Sequence, residues 1–283
     1  MPAASDQARR QMIANRSALP HYSSFAEHRR RLTRVALEAA APHEAPTLCV
    51  LGAGNCYDLD LNVLAQSYSA IHLVDIDATA LERAFERQEK PTQQRLALHA
   101  PVDCSGLLDR LERWSRFELT PAELLAHPEN TAQTLREALL GPFHVVLSSC
   151  VLSQMQLSIL EVLTDRHRLF EAIRLTLNLT HLRTLAELTG PAGSALFATD
   201  ASSSELHPLA DLPQAADCRA LLRELVSQGQ VFDFADPNQI RGQLRDDPLL
   251  RQAFDEFEPC DAWVWDNGPD TQFLVYASRL RRL

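Results

Sequence analysis

The chain has 283 residues, long enough to bury one large core, and its 27 basic and 37 acidic residues leave a net charge of −10. That balance argues against nucleic acid or an anionic membrane as a general partner. Six cysteines with no C-x-x-C spacing suggest neither a zinc site nor a disulfide framework; no metal site is expected, and a reducing, cytoplasmic setting fits best.

The first twenty residues are polar and alanine-rich, contain three arginines and lack the apolar core of a secretory signal. They read as partly helical and loosely held. Ser24 and Glu27 have the spacing of a capping box, and Phe25, His28, Leu32, Val35, Ala36 and Ala39 follow at helical intervals. Residues 47–51 are short, apolar and partly β-branched, which predicts a strand buried on both faces. Gly52 and Gly54 then permit a tight turn and close approach of a ligand to the backbone. Residues 57–66 carry helix-like apolar spacing, and a second buried run, 71–74, stops at Asp75. A carboxylate 21 residues beyond Gly54 is placed to accept hydrogen bonds from the hydroxyls of a ribose. Strand, glycine turn, helix, strand and acid together form a nucleoside-binding half.

Asp77 is the expected cap of the next helix, and residues 95–99 form a third strand leading to Asp103. Two short helices are expected before Gly141, the first of them followed by a capping box at Thr120 and Glu123, with a new start at Asn130. Residues 143–147 read as the fourth strand, with a polar loop through Ser148, Ser149, Ser153 and Gln154 at its carboxyl end. A long helical series follows to Leu188, with a kink expected near Thr164. Residues 194–199 read as the fifth strand, ending at Asp200. Residues 261–265 and 272–278, joined by a turn at 266–269, make a closing hairpin. The serines and glutamines within 142–160 make that uncharged run too polar for a membrane span.

A dinucleotide fingerprint would need glycine at position 57, where the chain has Tyr57, and this weakens the case for an NAD(P)-dependent oxidoreductase. The order of elements instead resembles the class I S-adenosylmethionine-dependent methyltransferases. In that family a G-x-G turn follows the first strand, as at Gly52 and Gly54. An acid after the second strand holds the ribose, as Asp75 would, and an acid after the third meets the adenine, as Asp103 would. Two family positions depart: Val50 stands where an acid is common and Cys56 where a third glycine is common. The cofactor's amino-acid tail would then be held by main-chain groups, Asp58 or Asp60.

The resemblance implies an α/β, Rossmann-like, seven-stranded and mostly parallel sheet with an antiparallel C-terminal hairpin strand, helices on both faces and helical insertions. Residues 1–45 would form a helical cap and 46–283 the main domain, with insertions at about 105–140 and 201–255. It implies S-adenosyl-L-methionine as cofactor, held by Gly52, Ala53, Gly54, Asn55, Asp75, Ile76, Asp103 and Ser148, and a small-molecule acceptor beside Tyr22, Tyr57, Ser149, Ser153, Gln154 and Asp200. No catalytic base is assigned, because aligning a nucleophile with an activated methyl group requires none. The acidic residues also have plain structural readings: Asp77 and Asp103 as helix caps, Asp58 and Asp60 as complements to a helix dipole. A binding module that keeps the nucleoside fold without turnover stays open as the alternative, as do the acceptor, the atom methylated and the oligomeric state.

Overall fold

The computed structural model describes residues 6–116, 119–209, 214–255, 257, 259–268 and 271–283. In chain order these form α1 (Asp6–Ser17), α2 (Ala26–Ala40), β1 (Thr47–Leu51), α3 (Leu61–Ser67), β2 (Ala70–Val74), α4 (Ala78–Glu86), α5 (Lys90–Gln93) and β3 (Leu96–His99). Then come α6 (Leu108–Arg116), α7 (Pro121–Leu139), β4 (Phe143–Ser149), α8 (Val151–Leu163), α9 (Phe170–Leu188) and β5 (Thr189–Ser203). The chain closes with α10 (Gln214–Gln228), α11 (Pro237–Asp246), α12 (Pro248–Ala253), β6 (Pro259–Asp266) and β7 (Gln272–Arg281).

The seven strands lie in the order β3-β2-β1-β4-β5-β7-β6, parallel except for β7, which runs antiparallel to both β5 and β6. This is the Rossmann-like arrangement expected from the sequence. The chain leaves β1 toward β2 and β3, then returns to the other side of β1 as β4, so a crevice opens at the carboxyl ends of β1 and β4. Side chains of β1 alternate between two cores: Leu48 and Val50 pack with residues of α2 and α3, Cys49 and Leu51 with residues of α6, α8 and α9. Burial on both faces is why the strand reads as an unbroken apolar run.

Local structure departs from the sequence pattern in several places. The Ser24–Glu27 box does not form: α2 begins after Phe25 without a side-chain cap, and the Glu27 carboxylate is taken by Arg30 and Arg31. The box at Thr120 does form, but the helix it starts runs without interruption through Pro128 to Leu139, so Asn130 begins nothing. The series after β4 divides into α8 and α9, with Thr164 at a positive φ of 56° at the expected kink. β5 overruns 194–199 at both ends, back to Thr189 across a register shift against β4 and on to Ser203 across another against β7, so Asp200 lies within the strand. No helix among the described residues is long and apolar enough to cross a membrane.

Candidate functional site

The turn after β1 is built from its backbone. The amides of Gly52 and Ala53 both donate to the Val74 carbonyl at 3.0 Å, tying the turn to the end of β2. Gly52 and Gly54 have φ of +72° and +48°, in the left-handed region that L-residues enter at a cost. Cys56 shares that conformation (φ 49°), so the position where a third glycine is common keeps glycine's backbone shape while carrying a buried thiol. Asp75, at the end of β2, is buried; its Oδ2 accepts from the Gly54 amide at 2.7 Å and its Oδ1 from the Asp77 amide at 2.8 Å. Burial outweighs these bonds and raises its pKa.

A cavity of about 260 Å³ lies over this turn, between the carboxyl ends of β1, β2, β4 and β5 and the helix α1. Four carboxylates line it, those of Asp58, Asp75, Asp103 and Asp200, and no lysine, arginine or histidine does so among the described residues. Asp103 turns its oxygens to its own loop, accepting from the amide and hydroxyl of Ser105 and the amide of Leu108. Asp58 accepts from the Ser149 hydroxyl at 2.8 Å, and its other oxygen is 3.7 Å from His28 Nε2. His28 is wholly buried, accepts at Nδ1 from the Trp263 indole and is held neutral by burial, its pKa lowered to about 3. Asp200 accepts from the Ser153 hydroxyl at 2.8 Å. Burial raises both Asp58 and Asp200 to about 6. An aromatic wall of Phe25, Trp265 and Phe273 closes one side, with ring centroids 5.1 and 5.7 Å apart in succession.

No family model matches the chain, and no curated protein matches it in sequence. Its likeness is to solved methyltransferases. The O-methyltransferase TomG from Streptomyces achromogenes, involved in tomaymycin synthesis and solved in complex with SAM, aligns with 99% of this chain and 92% of its own at 11% identity, with a TM-score of 0.44. SMU.1697c from Streptococcus mutans, solved with SAH, aligns over 88% and 97% at 9% identity, TM-score 0.43. A SAM-dependent methyltransferase from Methanosarcina mazei aligns over 85% and 94% at 10% identity, TM-score 0.43.

Of the residues named from the sequence, Gly52, Ala53, Gly54, Asn55, Asp75, Ile76 and Asp103 come together around the cavity, as do Tyr57, Ser149, Ser153, Gln154 and Asp200. Ser148 does not: it is wholly buried, its hydroxyl is 2.7 Å from His181 Nε2, and it faces the opposite core. Successive residues of a strand point to opposite sides, so Ser149 faces the cavity and its neighbour cannot. Tyr22 also lies outside the lining; it packs edge-on behind Tyr57 at 5.0 Å, with the Arg29 guanidinium over its ring. Asp60 is occupied as the cap of α3, accepting from the Val63 amide, so Asp58 is the acid that reaches the cavity. Cys150 carries a thiol pushed well up by burial and by the carboxylates of Asp200 and Asp58, which disfavours the reactive thiolate.

The expected helical amino-terminal segment is α1, and its packing is what the sequence pattern does not show. Far from loosely held, it lies on the glycine turn: Asn15 Nδ2 donates to Asp77 Oδ2 at 3.1 Å, and Asn55 Nδ2 donates to the Asn15 carbonyl at 2.6 Å. Gln7, Gln11, Ala14, Asn15 and Ala18 supply one wall of the cavity. These contacts are made by amides, which leave no apolar periodicity in the sequence.

Proposed function

We propose that the chain is an S-adenosyl-L-methionine-dependent methyltransferase acting on a small molecule in the cytoplasm. The observation that carries this is the lining: four aspartates and, among the described residues, no basic side chain, over a glycine turn whose amide is bonded to Asp75. A dinucleotide would bring a pyrophosphate into this acidic space, and the helix that should receive it begins late, at Leu61, with its amino end already capped by Asp60. A cofactor bearing a sulfonium and an ammonium suits the same charges. Asn55 adds a buried amide oxygen without a partner.

The ribose would be held by Asp75, and the adenine by Asp103 with Ile76, Val102 and Leu108 beside it. Asp58 would take the ammonium of the amino-acid tail, supplying the carboxylate that the wholly buried Val50 does not. Residues of α1 would cover the cofactor and exclude water. When bound, the cofactor supplies a methyl group already activated for in-line displacement, and the chain's own task is to hold a nucleophile near it in a space without competing water.

Calorimetry with S-adenosylhomocysteine and with NAD tests the reading: the first should bind and the second should not, and the reverse would replace the methyltransferase by an oxidoreductase. Asp75→Asn should weaken S-adenosylhomocysteine binding by about 1–3 kcal/mol, the scale of a hydrogen bond to a charged group. Full affinity in that variant would remove Asp75 from the cofactor site. Asn15→Ala, which deletes the contact between α1 and Asp77, should cost about 1 kcal/mol of the same affinity; no change would mean that α1 covers the turn without contributing to binding. Tight binding without methyl transfer to any of a broad set of acceptors would favour a binding module.

A further inference from the structure

Asp200 ends up in an unusual position for an acid. It stands near the carboxyl end of β5, paired in register with Val275 of β7, and only 6% of it is exposed. Among the described residues its one side-chain hydrogen-bond partner is the neutral Ser153 hydroxyl, and no basic side chain lines the cavity that it faces. A buried carboxylate without a countercharge is costly, and a cationic ligand placed against it relieves that cost. A second, independent signal lies alongside. Trp265, at the same end of the sheet and 9% exposed, lines the cavity, and its buried indole N–H has no partner among the described residues. Its ring stacks on His28 with centroids 4.3 Å apart and lies 5.7 Å from Phe273, so it is fixed in place from both sides.

Taking the cofactor reading above as its basis, we propose that the methyl acceptor is a small amine, its ammonium held by Asp200 and its apolar or aromatic body laid against Trp265 and Phe273. An uncharged oxygen on that body would accept from the Trp265 indole. An anionic acceptor would meet four carboxylates in this cavity. A plain alcohol would leave Asp200 without its countercharge. The same carboxylate also serves chemistry: one proton passes from the bound ammonium to an Asp200 oxygen, leaving a neutral amine with its lone pair free and a neutral carboxylic acid.

The test uses the full chain saturated with S-adenosylhomocysteine and three probes of one shape, 2-phenoxyethylamine, 2-phenoxyethanol and phenoxyacetate, each titrated calorimetrically. The amine should bind more tightly than the alcohol by on the order of tenfold to a hundredfold, and the acid most weakly. In Asp200→Asn the amine should fall to the level of the alcohol while S-adenosylhomocysteine binds as before, which also shows that the variant is folded. Trp265→Phe, which keeps an aromatic ring and removes the N–H, should weaken amine and alcohol alike, since both carry the ether oxygen. Equal affinity for the three probes, no binding of the amine, or a preference that survives Asp200→Asn would overturn the proposal while leaving the cofactor reading intact. Failure of S-adenosylhomocysteine to bind the parent protein would instead remove the cofactor reading and this proposal together.

Discussion

Gly52→Ala is expected to destabilise the fold by about 2–5 kcal/mol, a large share of the ~5–15 kcal/mol that holds a typical domain together. Two costs add. The position has φ +72°, and a side chain in the left-handed region costs about 1–2 kcal/mol. A Cβ there would also stand 2.5 Å from Val151 Cβ and 2.6 Å from Val151 Cγ2, which forces the first turn of α8 away from β1, at about 1–3 kcal/mol for overpacking. The space is closed because α8 starts directly after β4, whose register with β1 sets Leu51 beside Ser148.

Gly54→Ala is the control. Its φ of +48° is also left-handed, but its added Cβ would meet the Asn15 side chain at 3.1 Å, and an amide side chain can turn aside. Urea denaturation should therefore rank Gly52→Ala well below Gly54→Ala in stability, with Gly54→Ala losing mainly S-adenosylhomocysteine affinity. Equal destabilisation by the two would mean that backbone conformation alone, without the Val151 contact, sets the cost.

The same pair of glycines shows what a sequence can reveal here. Everything from β1 to Asp75 lies within thirty residues and is governed by local chemistry: strand burial, backbone freedom, and a carboxylate at a strand's end. The mostly parallel sheet with one antiparallel strand was legible for a related reason, since alternating strands and helices with a closing hairpin leave few arrangements. What stayed hidden was set by pairings across the chain. His28 and Trp263 meet over 235 residues, Ser149 and Asp58 over 91, Ser153 and Asp200 over 47, and no periodicity announces any of them. The choice between Ser148 and Ser149 turns on the alternation of β4, which carries Val146 into one core and Val145 and Leu147 into the other. Asp58 shows the same dependence. A helix from residue 57 would have put it on a solvated first turn, whereas the cap at Asp60 delays α3 to Leu61 and leaves Asp58 on a loop that reaches the cavity.

Asp200→Asn is expected to stabilise the unliganded protein above pH 6, by at most about 3 kcal/mol, and to lose that advantage as the pH falls. Burial raises the Asp200 pKa from 3.8 to about 6, with the Ser153 hydroxyl offsetting part of the shift. Two pKa units correspond to about 3 kcal/mol between protonation states. Because the folded value lies above the unfolded one, the native state holds more protons between pH 3.8 and 6, and stability falls as the pH rises through that window. The asparagine variant has no such group. The difference in unfolding free energy between parent and variant should therefore be small near pH 4, grow toward pH 6 and level off above it. Comparing the two proteins matters because His28 and His181 act with the opposite sign. Burial lowers them to about 3 and about 4, so the native state resists their protonation and loses stability as the pH falls below their usual 6.5. Those contributions are common to parent and variant and cancel in the difference. A difference that does not change with pH would show that Asp200 is not the titrating group. A difference that follows this course, then shrinks when 2-phenoxyethylamine is added at pH 7, would mean that an ammonium has taken the place of the missing countercharge.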